Sequence, residues 1–274
     1  MKKNICSQSL KLTKPAFGTE EWAKFNFNIQ KGCQNDCRYC FAKNMAIRFG
    51  RSSPESWVKP VLNKSGLEKY FRKMPGRIMF PTTHDITQDN VCVCQFVLEN
   101  MLRAGNEILI VTKPNPAAIR QLFCTLKPYA DRILFRFTIG SSNDSILSYW
   151  EPGASSFKER LLALESTFER GFRTSVACEP MLDTNPHAVI AAVRPFVTDS
   201  IWLGKAFHLK QRIAINCPND FAAKEQAEIL LQSQPDCWIH ELYSQFKDDP
   251  IIKWKSTIKN IVGLERPVEK GLDI

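Results

Sequence analysis

The sequence predicts an α/β fold: a partial (β/α)6 TIM-like barrel with a helical C-terminal cap. Three observations carry this. Six short strand-like runs recur along the chain, most of them rich in β-branched and aromatic residues and suited to burial on both faces. Helical patterns separate them, and alternating strands and helices imply a parallel sheet with helices outside it. The polar residues of the runs gather at their C-terminal ends, where α/β folds place their sites. An open doubly wound sheet is the alternative arrangement of the same elements.

In order, the strand-like runs begin near Lys24, Gly76, Glu107, Arg132, Arg173 and Ser200. Helical spacing covers Val91 to Arg103, stopped by Ala104-Gly105, and Ala117 to Leu126, which follows Pro114 and Pro116. It returns from Phe157 to Arg170, ended by Gly171 as a C-terminal cap, and from Pro186 to Pro195. Alternation assigns faces within the strands. Ile133, Phe135 and Phe137 share one side, and Arg136 and Thr138 the other. Leu109, Val111 and Lys113 form one inward set; Ser175, Ala177 and Glu179 form another, with Cys178 facing outward.

Past Ala214 the strand rhythm stops. Phe221 to Gln232 and Trp238 to Phe246 read as helices, and Lys253 to Ile261 as a further one. Residues 1–213 are thus expected to form the barrel core and 214–274 a helical extension packed on it. No internal repeat or low-complexity tract interrupts this plan.

The formal charge of +9 favours anionic partners, nucleic acid among them. The basic residues are scattered, however, and a solvated surface explains them equally. No uncharged apolar run has the length of a membrane span, and the basic start Met1-Lys2-Lys3 lacks the apolar stretch of a secretory signal. Ten cysteines without such a signal suit a reducing cytoplasm, with thiols as metal ligands or buried side chains rather than disulfides.

The chemistry concentrates in Gly32-Cys33-Gln34-Asn35-Asp36-Cys37-Arg38-Tyr39-Cys40-Phe41, directly after the first strand. The spacing is C-x3-C-x2-C. Three thiolates on one loop are soft ligands for an iron–sulfur cluster or zinc. An electron-transfer cluster ordinarily takes four cysteines, and no fourth lies nearby, so one iron would stay open for a ligand. A zinc knuckle is the alternative, its fourth ligand drawn from Cys6, Cys92, Cys94 or His84. Cys124, Cys217 and Cys237 are isolated.

With its C-x3-C-x2-C loop and an aromatic before the third cysteine, the chain resembles the radical S-adenosylmethionine superfamily from about Phe25 to Phe207. The resemblance implies a [4Fe–4S] cluster on Cys33, Cys37 and Cys40 whose free iron chelates S-adenosylmethionine. It also implies an enzyme that splits this cofactor into methionine and a 5′-deoxyadenosyl radical, which abstracts hydrogen from a substrate. The electron would come from a donor such as a flavodoxin or ferredoxin.

Within the superfamily the chain is most similar to the spore photoproduct lyase branch. That likeness lies in Val111-Thr112-Lys113, Arg136-Phe137-Thr138-Ile139, Trp150-Glu151-Pro152-Gly153 with Glu159-Arg160-Leu161, and Glu179-Pro180-Met181. It implies that Lys113 pairs with the cofactor carboxylate, that Thr83 and Thr138 contact carboxylate or ribose, and that Tyr39 and Phe41 flank the adenine. Arg160 joins the cofactor-binding set. Two departures stand out: Thr82-Thr83-His84-Asp85 replaces the usual Gly-Gly-Glu, and Phe80-Pro81-Thr82-Thr83 lacks the cysteine hydrogen donor of the lyases.

Read from the residues themselves, Glu179 is costly to bury unpaired. It needs Arg136, Lys205 or a ligand, and is the candidate for handling a substrate proton. Lys113 at a strand end marks a site or is a surface lysine. His84-Asp85 caps a helix or touches substrate. Glu151 and Arg160 order the loop after the fourth strand, Lys205 meets an anionic substrate or solvent, and Lys253-Trp254-Lys255 touches nucleic acid or edges a helix. Three functions follow: a radical enzyme of unnamed substrate, a nucleic-acid modification or repair enzyme, or a non-enzymatic iron–sulfur or zinc protein.

Overall fold

The structure, a computed structural model, describes residues 14–63 and 71–272. Cys6 lies outside them. A short 3-10 turn (Gly18–Glu21) leads into β1 (Phe25–Asn26) and β2 (Gln30–Lys31). Next come α1 (Phe41–Arg48), α2 (Pro54–Trp57), β3 (Val61–Leu62) and β4 (Ile78–Phe80). The βα rhythm continues as α3 (Val91–Arg103), β5 (Ile108–Thr112), α4 (Pro116–Leu126), β6 (Ile133–Thr138), α5 (Asp144–Trp150), α6 (Phe157–Glu169), β7 (Arg173–Cys178), α7 (Pro186–Val193) and β8 (Ile201–Leu203). The tail supplies α8 (Leu209–Asn216), α9 (Phe221–Ser233), α10 (Asp236–Phe246), β9 (Ile252–Trp254) and α11 (Ser256–Val262).

One parallel sheet runs β1-β4-β5-β6-β7-β8-β9, and β2 pairs with β3 in a separate antiparallel ribbon. All six expected strands are present in the expected order. The helices start where the sequence supplies side-chain acceptors for orphan N–H groups. Asn115 caps α4, Asn143 caps α5, Ser156 with Glu159 boxes the start of α6, and Gly171 follows α6 at φ +68°.

The strand faces divide as alternation requires. Ile108, Ile110, Ile133, Phe135, Phe137, Val176 and Cys178 pack outward against helices. Met79, Leu109, Val111, Leu134, Ala177 and Trp202 pack inward with Trp22 and Ala23. The sheet therefore curls around its own side chains, as a partial barrel does, with β1 and β9 as its edges.

Trp22 closes one end of this interior, edge-on to Trp202 with centroids 5.6 Å apart. The Arg136 guanidinium lies 4.7 Å from the Trp22 ring centre and donates to Ser175 Oγ at 2.9 Å. Asp199 stands 3.9 Å away. Arg136 is thus not the partner of Glu179. It aligns with Ser175, and Glu179 lies four residues further along, about 13 Å at strand rise.

The tail differs from expectation in one respect. Ile252–Trp254 is a strand, not the start of a helix, and adds a seventh parallel member beside β8. Ile252 and Trp254 both bury into the outer core while Lys253 does not, an alternation too short to tell from helical spacing. The helix here begins only at Ser256. The boundary expected at residue 213 falls inside α8. No helix among the described residues is long and apolar enough to cross a membrane.

α8 and α9 form a second core with the cysteine loop: Leu209, Ile213, Ala223, Ala227 and Leu230 pack with Cys37, Tyr39, Leu147 and Trp150. The cap therefore reaches the site directly.

Candidate active site

The cysteine loop leaves β2 through Gly32 at φ +89°, where a Cβ would lie 2.5 Å from the Trp57 carbonyl. Only glycine suits that backbone. Cys33 N–H donates to this same carbonyl at 3.0 Å. Asp36 takes the loop through a left-handed turn at φ 44°, and its carboxylate pairs with the buried Lys43 at 2.6 Å. Cys40 then caps α1, its sulfur accepting from Lys43 N–H at 3.3 Å.

Every side of the loop is held. Arg38 N–H donates to the Trp150 carbonyl at 2.9 Å, and Gly153 N–H to that of Asn35 at 3.1 Å. From α8, Arg212 donates to the Tyr39 carbonyl at 3.2 Å, and Asn216 to those of Arg38 and Cys40 at 2.8 and 2.9 Å. The Tyr39 hydroxyl donates to Glu151, which also pairs with Arg160; both charged side chains are wholly buried. Arg160 spends its other donors on the carbonyls of Ser155 and Thr138. It therefore stands behind the cavity wall rather than in it, correcting the expectation of a cofactor contact. Ordering the loop is what Glu151 and Arg160 do.

Gly153 makes this approach feasible, because a Cβ there would meet Gln34 O at 2.3 Å and Asn35 Cα at 2.9 Å. Gly153→Ala is expected to push the loop aside, costing about 1–3 kcal/mol as overpacking does. Urea denaturation measures the loss, and iron bound per chain should fall with it.

Beneath the loop lies a cavity of about 230 Å³. Cys33, Cys37 and Cys40 line it, and so do Tyr39, Phe41, Thr83, Lys113, Thr138 and Glu179. The sequence thus assembled nine of its ten site residues on one cavity, all but Arg160. Lys205 and Arg212 also border it. Lys205 Nζ donates to the Gln234 carbonyl at 2.6 Å, so protein rather than solvent holds its ammonium.

Asp85, read from the sequence with His84 as a helix cap or substrate contact, is instead the hub of the site. Its carboxylate accepts from Asn35 Nδ2 at 2.9 Å, Thr112 Oγ1 at 2.9 Å and Lys113 N–H at 2.7 Å, and lies 3.6 Å from Lys113 Nζ. Burial opposes its charge, but Lys113 and these donors outweigh that and hold the carboxyl below its usual range. Burial opposes the Lys113 ammonium too, and Asp85 foremost raises it well above an ordinary lysine. His84 caps no helix: its buried Nε2 accepts from Ile29 N–H at 3.2 Å, and burial lowers its pKa, favouring the neutral ring. Asn28 went unread, although its Oδ1 accepts from Thr82 and Thr83 N–H and fixes the end of β4 beside the site.

Glu179 faces the cavity with Lys255 behind it. Lys255 Nζ is 3.6 Å from Glu179 and 2.9 Å from Glu21, and lies 3.9 Å from the Trp22 ring centre. So Glu179 pairs with neither Arg136 nor Lys205, and the buried Lys255 is no nucleic-acid contact. Burial raises the Glu179 carboxyl above its usual range, offset in part by Lys255.

The donor set fits a cluster. Burial raises all three thiols, Cys33 to about 12, and Asp85 adds to the effect there. Iron binding would have to displace these protons. The Lys43 N–H at the start of α1 works the other way at Cys40, favouring thiolate. Among the described residues, no three His, Cys, Asp or Glu side chains gather around a single metal-ion position. Three of the fourth ligands offered to zinc fit poorly: Cys92 is exposed, Cys94 is in the outer core and the His84 nitrogen is occupied, while Cys6 lies outside the described residues. Against the four thiolates of an electron-transfer cluster, the three loop cysteines would hold three irons and leave the fourth open.

No model of a known protein family matches the chain. Over 179 residues it is 26% identical to an uncharacterized protein, ORF301, of Acidianus two-tailed virus, covering 61% of this chain and 58% of that protein. It is 24% identical over 179 residues to the uncharacterized protein MJ0683 of Methanocaldococcus jannaschii, covering 64% and 67%. Among solved structures it is similar to spore photoproduct lyase complexed with dinucleoside spore photoproduct. The TM-score is 0.54 at 16% identity, over 89% of this chain and 79% of that one. A variant of that lyase with bound AdoMet and the dinucleoside gives a TM-score of 0.56. SuiB of Streptococcus suis, solved with S-adenosylmethionine, gives 0.52 at 11% identity, over 92% of this chain and 54% of that one. With six strands in the expected order, a three-cysteine loop at their head and these structural neighbours, the chain has the partial-barrel fold of the radical S-adenosylmethionine enzymes.

Proposed function

We propose that the protein is a radical S-adenosylmethionine enzyme that holds a [4Fe–4S] cluster on Cys33, Cys37 and Cys40. The observation that carries this is the placement of three thiols and the Lys113 ammonium on one cavity whose loop offers no fourth ligand. When bound, the cluster and S-adenosylmethionine supply reductive cleavage to a 5′-deoxyadenosyl radical for hydrogen abstraction.

The chain's part is to hold and orient. Lys113, kept charged and aimed by Asp85, takes the cofactor carboxylate. Thr83 and Thr138 serve carboxylate or ribose, and Tyr39 and Phe41 border the adenine. The Glu151–Arg160 pair fixes Tyr39 from behind. Glu179 faces the substrate side and, with its raised pKa, keeps a proton to higher pH than an ordinary carboxyl. A one-electron donor such as a flavodoxin or ferredoxin completes the cycle. Nine cysteines among the described residues are free, which suits a reducing cytoplasm. The barrel core and its C-terminal extension act as one unit, joined by β9 and by α8.

A lyase-type hydrogen return from cysteine finds no support here. The cysteines lining the cavity, among the described residues, are the three proposed ligands. A nucleic-acid substrate is the second reading, favoured by the neighbour's dinucleoside complex and the +9 charge. Its mark is oligonucleotide binding that weakens steeply with salt.

Equilibrium dialysis tests the cofactor site. Cluster-loaded protein should bind S-adenosylmethionine, and Lys113→Met should weaken it about tenfold, the loss of one charged hydrogen bond. Unchanged binding in that variant would remove Lys113 from the site.

A further inference from the structure

A second concavity, about 730 Å³, abuts the cysteine cavity. Phe41, Ala42, Trp57 and Thr83 line both and form the wall between them. Its size falls within the range of small-molecule sites. α1, α2 and the β2–β3 ribbon enclose it, none of which the cluster or cofactor reading uses beyond that wall.

Its chemistry is divided. Met45, Ala46, Trp57 and Val61 give an apolar floor. Lys31, Arg51 and Lys59, from three separate segments, add positive charge, and among the described residues no Asp or Glu side chain lines the groove. An apolar surface without counter-charge for three cations is complementary to an anion with an apolar body.

Trp57 ties the groove to the cysteine loop. Its ring is 3% exposed and its indole N–H has no partner. The position is not adjustable, because the Trp57 carbonyl is tied to Cys33 N–H and pressed against Gly32. Whatever binds at Trp57 therefore sits in fixed relation to the cysteine loop.

We propose that this groove binds an amphipathic anion, a small molecule with an apolar chain or ring and a carboxylate or phosphate, and presents it through the Phe41–Trp57 wall to the cavity. Its role as substrate rests on the radical-enzyme reading; its binding does not. A nucleic-acid strand fits less well. Strands are held on repeated aromatic platforms, whereas the Trp57 face is buried and, among the described residues, Phe41 is the one exposed aromatic ring lining the groove.

Octyl phosphate, titrated calorimetrically into the full-length, cluster-loaded protein, tests this. One saturable site per chain is expected. Lys31→Glu with Lys59→Glu should weaken it more than tenfold. Octanol should bind more weakly than octyl phosphate, and an oligothymidylate should not displace it. The Lys31/Lys59 variant should still cleave S-adenosylmethionine like the parent protein, so failure of the groove and failure of the radical reading are separable. Absence of saturable binding, equal affinity in the variant, or displacement by the oligonucleotide would overturn the proposal.

Discussion

Cys37→Ala is expected to abolish iron loading and S-adenosylmethionine cleavage together while leaving the fold in place. Cys37 is buried in the second core beside Tyr39, Leu147 and Trp150. Alanine there removes one sulfur and leaves a small void, so the folding cost should stay near the common value of about 1 kcal/mol. The chemical cost is total, because a cluster on two thiolates has lost a corner of its support. Visible absorbance and iron content after anaerobic reconstitution read the first effect, and circular dichroism the second. Full iron content in the variant would show that Cys37 is no ligand. Cys178→Ala is the matching control, since that sulfur lies on the outward strand face and its loss should leave the iron unchanged.

Glu151→Ala is expected to be the most destabilising single change near the site. Glu151 and Arg160 are both wholly buried. Removing the carboxylate leaves a guanidinium without its counter-charge and the Tyr39 hydroxyl without its acceptor. Breaking one side of a buried pair costs about 3–5 kcal/mol, a large share of the roughly 5–15 kcal/mol that holds a domain together. Urea denaturation at neutral pH measures it. The double variant Glu151→Leu with Arg160→Met should recover much of the stability, since apolar replacement of a whole pair is often neutral. A Glu151→Ala loss below 1 kcal/mol would mean that water reaches the pair.

Much of this was legible in the sequence. Strands buried on both faces are mostly apolar, as Ile108–Thr112 and Ile133–Thr138 are apart from Arg136 and their terminal threonines. The cysteine spacing announced its own loop. The stretch Trp150 to Gly153 lies directly against the cysteine loop.

What stayed hidden depends on register and long-range contact. Asp85 reads locally as a residue before a helix, and only the pairing of β4 beside β5 brings it to Lys113. Lys255 belongs to the tail, and becomes the partner of Glu179 because β9 lies alongside β8. Its strand of three residues has too little alternation to declare itself. Asn216 and Arg212 reach the carbonyls of residues 38–40 from the far side of the cap, a contact with no local signal at all. The groove at Trp57 is built from the β2–β3 ribbon, whose two-residue strands leave no pattern to read.

The most direct test of the account is anaerobic. The protein is reconstituted with iron and sulfide, given reductant and S-adenosylmethionine, and assayed chromatographically for 5′-deoxyadenosine. The expected result is that 5′-deoxyadenosine forms and that its formation is lost when Cys33, Cys37 or Cys40 is replaced. Zinc retained in place of iron, or a fully loaded cluster that yields no 5′-deoxyadenosine with or without candidate substrates, would contradict it.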